Sequence, residues 1–159
     1  MRGKHAPAHG RFALKAFPHH YQVTAASAPD GEVVLSSGAL EPLQSAPPVE
    51  FDGPGDRWSP ETLLVAALAD CFTLTFRAVA RATKLPWLSL NVDVTGTLER
   101  EQGNSRFTSF DVQARLRVPA GGDLEAAERA LHKAEAGCLI SNSLSGQRHL
   151  TVSVEQVDA

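Results

Sequence analysis

The sequence predicts an α+β domain built around one long apolar helix. Three observations carry that reading: a capped helical segment opened by Ser59-Pro60-Glu61, two runs of apolar alternation beyond it, and an amphipathic helix that stops at Gly137. Ahead of the helix, His19 to Ala26 and Glu32 to Ser37 flank the turn signal Pro29-Asp30-Gly31 and read as a hairpin. Leu40 to Gly55 carries Pro47-Pro48 and Gly53-Pro54-Gly55, and is expected to form no regular element.

Ser59 is a good N-cap, Pro60 suits the first helical position where no backbone donor is missed, and Glu61 complements the positive end of the dipole. Leu63, Leu64, Val65, Leu68, Cys71, Phe72, Leu74, Phe76 and Val79 cover nearly the whole circumference, which predicts a helix buried on most sides. Asp70, Arg77 and Arg81 interrupt the segment too soon for a membrane span, and Pro86 ends it. A chain of 159 residues has too little remaining to cover such a helix, so a homodimer is expected. Leu88, Leu90, Val92 and Val94 alternate with polar residues, as do Phe110, Val112, Ala114, Leu116 and Val118. Glu99 to Ser105, with Gly103-Asn104, joins these strands. Leu124, Ala127, Leu131 and Ala134 recur at helical spacing from Asp123 to Ala136, and Leu150, Val152 and Val154 form a closing strand.

One domain over 16–159 is expected, preceded by a flexible basic tail over 1–15. The tail carries Arg2, Lys4, Arg11 and Lys15 and no acid, but no apolar run of a secretory signal. A net charge of −3 removes the electrostatic case for nucleic acid or an anionic membrane. With two cysteines and no export signal, the chain is expected to be cytoplasmic, where a cysteine pair is more often redox-active or unrelated than a structural staple.

The chemistry therefore turns on Cys71 and Cys138. A thiol with an ordinary pKa of about 8.5 is only a few per cent thiolate at neutral pH, so a catalytic Cys71 needs a nearby cation or donor. The positions one turn away are Ala67, Leu68, Leu74 and Thr75, none of them cationic, so activation is expected from outside the helix. Asp70 beside it opposes ionisation. Cys138, at the break after Gly137, precedes a short turn, Leu139 to Leu144, whose free amides are expected to lower its pKa, and it reads as the better-solvated thiol. Two small buried hydrophobes remain the bland alternative.

Ser59-Pro60-Glu61 followed by Leu63-Leu64-Val65-Ala66-Ala67, Cys71 ten residues after Glu61, and Cys138-Leu139-Ile140-Ser141 after a helix together resemble the OsmC/Ohr family of organic hydroperoxide reductases. The resemblance runs from Tyr21 to Val157. It implies an intertwined homodimer whose long central helices are wrapped by antiparallel sheets. It also implies a peroxidatic Cys71, a resolving Cys138, a Glu61 that orients an activating arginine, and no metal or organic cofactor. The substrate it implies is an organic hydroperoxide, and the reductant a dithiol, typically dihydrolipoyl groups on partner proteins. Apolar neighbours such as Leu68, Phe72 and Leu74 suit fatty or aromatic hydroperoxides.

Helix geometry bears on the same site: ten residues put Glu61 about 15 Å from Cys71 along one helix. Either the chain folds back or a second subunit supplies one of them. The sequence also departs from the family pattern, with no arginine between His19 and Gly55 and Leu139 where proline is common. Arg57, four residues before Glu61, is the nearest substitute, and His19 and His20 are weaker candidates. A non-catalytic dimer binding a small apolar ligand is the alternative that the missing arginine favours. A cysteine-dependent acyl hydrolase would need His132 or His149 as base, and no motif pairs either with Cys71.

Overall fold

A computed structural model describes residues 15–158. The basic tail expected over 1–15 lies, but for Lys15, outside the described residues. The chain divides into a unit ending at Ser45 and a unit over 46–159.

The first unit holds an antiparallel sheet of three short strands in the order β1 (Thr24–Ala26), β2 (Val33–Ser36) and β3 (Leu43–Ser45). The hairpin read around Pro29-Asp30-Gly31 is present, with Ala26 paired to Val34. Gly31 takes a φ of +96°, which only glycine adopts without strain. β3 corrects the expectation that Leu40 to Gly55 has no regular element, and Val49–Phe51 adds a 3₁₀ turn in the second unit. Three residues make a strand here because a ready edge, β2, supplies the partner groups; local composition does not report that edge.

The second unit is organised by α1 (Pro60–Thr83). Ser59 Oγ accepts the Thr62 N–H at 3.2 Å and Thr62 Oγ1 accepts the Ser59 N–H at 2.8 Å, a reciprocal cap of the kind that contributes about 1 kcal/mol. At the other end Lys84 turns left-handed with φ 54° and Leu85 N–H reaches Ala80 O at 2.9 Å, so the helix closes two residues before Pro86. Leu68, Phe72, Phe76 and Ala80 form one sealed stripe, whereas Leu64 and Val65 are half-buried and Leu74 is 52% exposed. The chain by itself therefore covers one face of α1, not most of it. With 24 residues, α1 is by length and composition apolar enough to cross a membrane, despite Asp70, Arg77 and Arg81; a packed core helix meets the same test.

β4 (Ser89–Glu101) and β5 (Asn104–Pro119) are longer than their apolar alternation, because they meet through a two-residue turn. Gln102 and Gly103 both take positive φ, 50° and 85°, a geometry that matches the right-handed twist of the hairpin. The inward residues of β5, Phe110, Val112, Ala114, Leu116 and Val118, are those the alternation selects, and all are buried. β4 lies so close to α1 at Gly96 that a Cβ there would stand 2.9 Å from Val65 Cγ2. α2 (Leu124–Gly137) packs Ala127, Ala130, Leu131 and Ala134 into the same core, with Asp123 Oδ1 capping Ala126 N–H at 2.9 Å.

α3 (Leu139–Ser143) leads into β6 (Gln147–Val157), which runs parallel to β5. The sheet order is β4-β5-β6, so the expectation of antiparallel sheets holds except at this last pairing. The crossover through α2 and α3 makes the parallel arrangement possible. It also brings α3 against α1.

Candidate active site

Cys71 sits half-buried in the middle of α1, and Cys138 is the residue between α2 and α3, fully buried at 0% exposure. This reverses the sequence expectation that Cys138 is the better-solvated thiol. The apolar sides of α1 and α2 close over the helix break, and a break in the backbone does not by itself admit water. Both thiols are free, and each shifts the ionisation of the other.

The break is built by Cys138 itself. Its extended backbone, φ −70° and ψ 112°, ends α2 and opens α3, and its Sγ accepts the Ser141 N–H at 3.5 Å in the manner of an N-cap. Gly137 allows the close approach to α1, since a Cβ there would lie 3.3 Å from Thr75 Cγ2. Thr75, one turn after Cys71, donates its hydroxyl to Cys71 O at 2.7 Å.

These contacts drive the two thiols apart. Burial pushes the Cys71 thiol up, but the Ile140 N–H, the Cys138 thiol, the Thr75 hydroxyl and the Leu139 N–H outweigh it and bring Cys71 below 9.0. Burial likewise pushes Cys138 up; the Ser141 N–H opposes it, the neighbouring Cys71 adds to it, and the result is about 11. Of the amides expected to ionise Cys138, that of Leu139 serves Cys71, that of Ser141 serves Cys138 and that of Ile140 serves both. Thr75 stands one turn from Cys71, and its one hydroxyl proton, held by Cys71 O at 2.7 Å, reaches the sulfur only by turning away from that carbonyl.

Glu61 and Arg57 lie elsewhere. Glu61 lines a cleft of about 760 Å³ with Phe51, Trp58, Val65, Val94 and Phe107, and Cys71 is not among its lining residues. Glu61 Oε2 is shut off from solvent and has no hydrogen-bond partner among the described residues. Arg57 pairs with Asp56 at 3.3 Å and donates to Asp56 O at 3.0 Å. The structure brings Cys71 and Cys138 together, and it places Glu61 in a separate cleft. His132 and His149 are both exposed, and Asp70 is also exposed beside Cys71. Among the described residues there is no group of three His, Cys, Asp or Glu side chains that could hold a metal.

Comparison with known proteins places this geometry. The fold matches an OsmC-like protein of unknown function from Vibrio cholerae at a TM-score of 0.78, with 15% identity, covering 86% of this chain and 100% of that one. An organic hydroperoxide resistance protein from Legionella pneumophila is 27% identical at a TM-score of 0.67, covering 90% of this chain and 100% of its own. Another organic hydroperoxide resistance protein, from Vibrio cholerae with captopril bound in one of its active sites, is 26% identical at 0.69, covering 90% and 97%. In sequence, the uncharacterized protein YmaD of Bacillus subtilis is 29% identical over 108 residues, which are 65% of this chain and 71% of that protein. The family model of OsmC-like proteins matches residues 53–155, which include α1, both cysteines and the mixed sheet, and the chain accordingly belongs to the OsmC-like protein family.

Proposed function

We propose that this protein is a thiol-dependent peroxidase that reduces organic hydroperoxides to alcohols. The observation that carries the proposal is a half-buried, lowered Cys71 beside a fully buried, raised Cys138. Thiolate character belongs on the nucleophile, and a resolving thiol held protonated does not compete with it. The resemblance to organic hydroperoxide resistance proteins supports the substrate class.

Cys71 thiolate attacks the distal oxygen of R–O–O–H and breaks the O–O bond. The alkoxide leaves and takes up a proton as R–OH, and Cys71 becomes a sulfenic acid. Cys138 stands protonated beside Cys71 in the resting state, so it is placed to give that proton. In doing so it becomes the thiolate that attacks the Cys71 sulfur, expelling hydroxide, which is protonated to water, and forming the Cys71–Cys138 disulfide. A dithiol reductant, such as a lipoylated protein, returns both residues to thiols by exchange.

A cytoplasmic homodimer is part of the same proposal. The half-exposed Leu74 and its half-buried neighbours leave an apolar side of α1 for a second copy. Since Glu61 lines a cleft without Cys71, each Glu61, with Arg57 near the same helix start, is assigned to the redox centre of the partner copy. The buried, partnerless Glu61 Oε2 supports that assignment, because such an oxygen calls for a donor.

The test is turnover of cumene hydroperoxide with dihydrolipoamide by the parent, Cys71→Ser and Cys138→Ser proteins. Loss of turnover in both variants, with a Cys71–Cys138 disulfide found by mass spectrometry only in the parent, is expected. The cleft around Glu61 favours a second reading, a non-catalytic dimer that binds a small apolar ligand. A parent protein inert to hydroperoxide would select it.

A further inference from the structure

α3 has only five residues, too few to persist as a helix without support, yet it packs against α1, where the Leu139 and Ile140 N–H groups at its start help to lower the Cys71 thiol. Three contacts hold it. Ser141 N–H bonds Cys138 Sγ at its start, and Asn142 Nδ2 donates back to Ala136 O at 3.0 Å, tying the segment to α2. The third comes from β6, where Arg148 Nη1 donates to Ser141 O, a carbonyl that also accepts Leu144 N–H at 3.2 Å.

Arg148 uses its guanidinium differently from four other arginines of the second unit. Arg106, Arg115, Arg117 and Arg129 each pair with a carboxylate across a strand pair or along a helix. Arg148 instead binds the backbone of the segment that carries the redox amides. Its base is well anchored: in the parallel ladder its Cα is opposite that of Phe110, which is 1% exposed. Two residues earlier Gly146 lies against the same ring, where a Cβ would stand 3.0 Å from Phe110 Cε2. The sheet therefore fixes where the guanidinium can reach, and Ser141, itself buried, is what it reaches.

We propose that Arg148 is a positioning residue for the redox centre: by gripping Ser141 O from the core sheet, it keeps α3 seated with the Leu139 and Ile140 N–H groups beside Cys71. The inference rests on Cys71 being the reacting thiol of the proposed function, and Arg148 itself touches neither sulfur in this role. A charged donor on a carbonyl is among the stronger single hydrogen bonds, so its loss should loosen a five-residue helix more than the sheet that supplies it.

The experiment measures alkylation of Cys71 by iodoacetamide against pH in the fully reduced protein, resolved from Cys138 by peptide mass spectrometry, with amide exchange across Leu139–Ser143. Arg148→Gln is too short to reach Ser141 O and retains polarity at an exposed position. It should shift the Cys71 profile upward and slow alkylation at pH 7 about tenfold, the factor of one pKa unit, with faster exchange in α3. Arg148→Lys, which keeps a charged donor of similar reach, should restore most of the parent profile. A Gln variant that alkylates and exchanges like the parent would overturn the inference. Should that variant not fold, Arg148→Met keeps the apolar stem and removes the donor, and an unchanged Cys71 profile there overturns it equally. Because alkylation needs no hydroperoxide, the two readings separate. A parent whose Cys71 alkylates readily but ignores hydroperoxide defeats the proposed function alone, and a parent that turns over hydroperoxide while Arg148→Gln alkylates normally defeats only the role of Arg148.

Discussion

Cys138 is sealed from solvent beside the half-buried Cys71; burial does most to raise Cys138, and the nearness of the two thiols adds to that rise while helping to lower Cys71. A thiol that donates a hydrogen bond stabilises a thiolate beside it, and the nearby negative charge makes the donor harder to ionise. The proposed division of labour, Cys71 as nucleophile and Cys138 as resolving thiol, rests on this placement.

The first expected outcome is an order of reaction. In the reduced protein near neutral pH, Cys71 should be alkylated well before Cys138, which has both burial and a pKa of about 11 against it. In Cys138→Ser, one equivalent of hydroperoxide should give a sulfenic acid on Cys71, and excess should carry it to the sulfinic state. Peptide masses after each addition check this, and equal labelling of the two thiols would contradict it.

Thr75→Val removes the hydroxyl and nearly preserves the shape. A hydrogen bond to a charged group contributes about 1.5–3 kcal/mol, but the hydroxyl must leave Cys71 O to make it and the Ile140 and Leu139 amides remain, so only part of that is lost. Peroxide reduction at pH 7 should therefore fall about threefold to tenfold, with the rate recovering as pH rises. A rate loss independent of pH would mean that Thr75 acts other than through the thiolate.

Stability should depend on alkaline pH through Cys138. Its folded pKa of about 11 lies above the ordinary 9.0, so its contribution is complete below pH 9 and is lost as pH rises through 11, while the unfolded chain ionises first. Cys71 has the opposite sign: with a lowered folded pKa, its contribution is present above 9.0 and is lost as pH falls through that lowered value. Urea unfolding of the reduced protein should show stability falling between pH 9 and 11, and Cys138→Ala should flatten that fall.

Arg57→Ala tests the remaining cation of the proposed site. If Arg57 and Glu61 of one copy serve Cys71 of the other, peroxide reduction should slow about tenfold, equal to a pKa rise of one unit, with sedimentation still showing a homodimer. Glu61→Gln should act in the same direction. An Arg57→Ala protein that titrates and turns over like its parent would leave Thr75 and the α3 amides as the whole of the activation.

Local chemistry makes α1 legible in the sequence itself. Ser59 caps, Pro60 needs no donor and Pro86 bars continuation, and all three act within one turn of their own position. The inward face of β5 is legible for the same reason, since alternation from Phe110 to Val118 is a property of neighbours. β3 is not, because three residues pair only where another strand offers an edge.

At the site, the residue types and their order along the chain came from the sequence: a mid-helix Cys71, a second thiol at a helix break, and donors after it. Which donors serve which thiol was decided by tertiary structure. The Leu139 and Ile140 amides lie next to Cys138 in sequence, so proximity assigns both to it, but the packing of α2 and α3 on α1 gives Leu139 to Cys71, shares Ile140 between the thiols and buries Cys138. Hydrogen bonding and desolvation act over a few ångströms in space, and the crossover sets those ångströms between residues far apart in the chain.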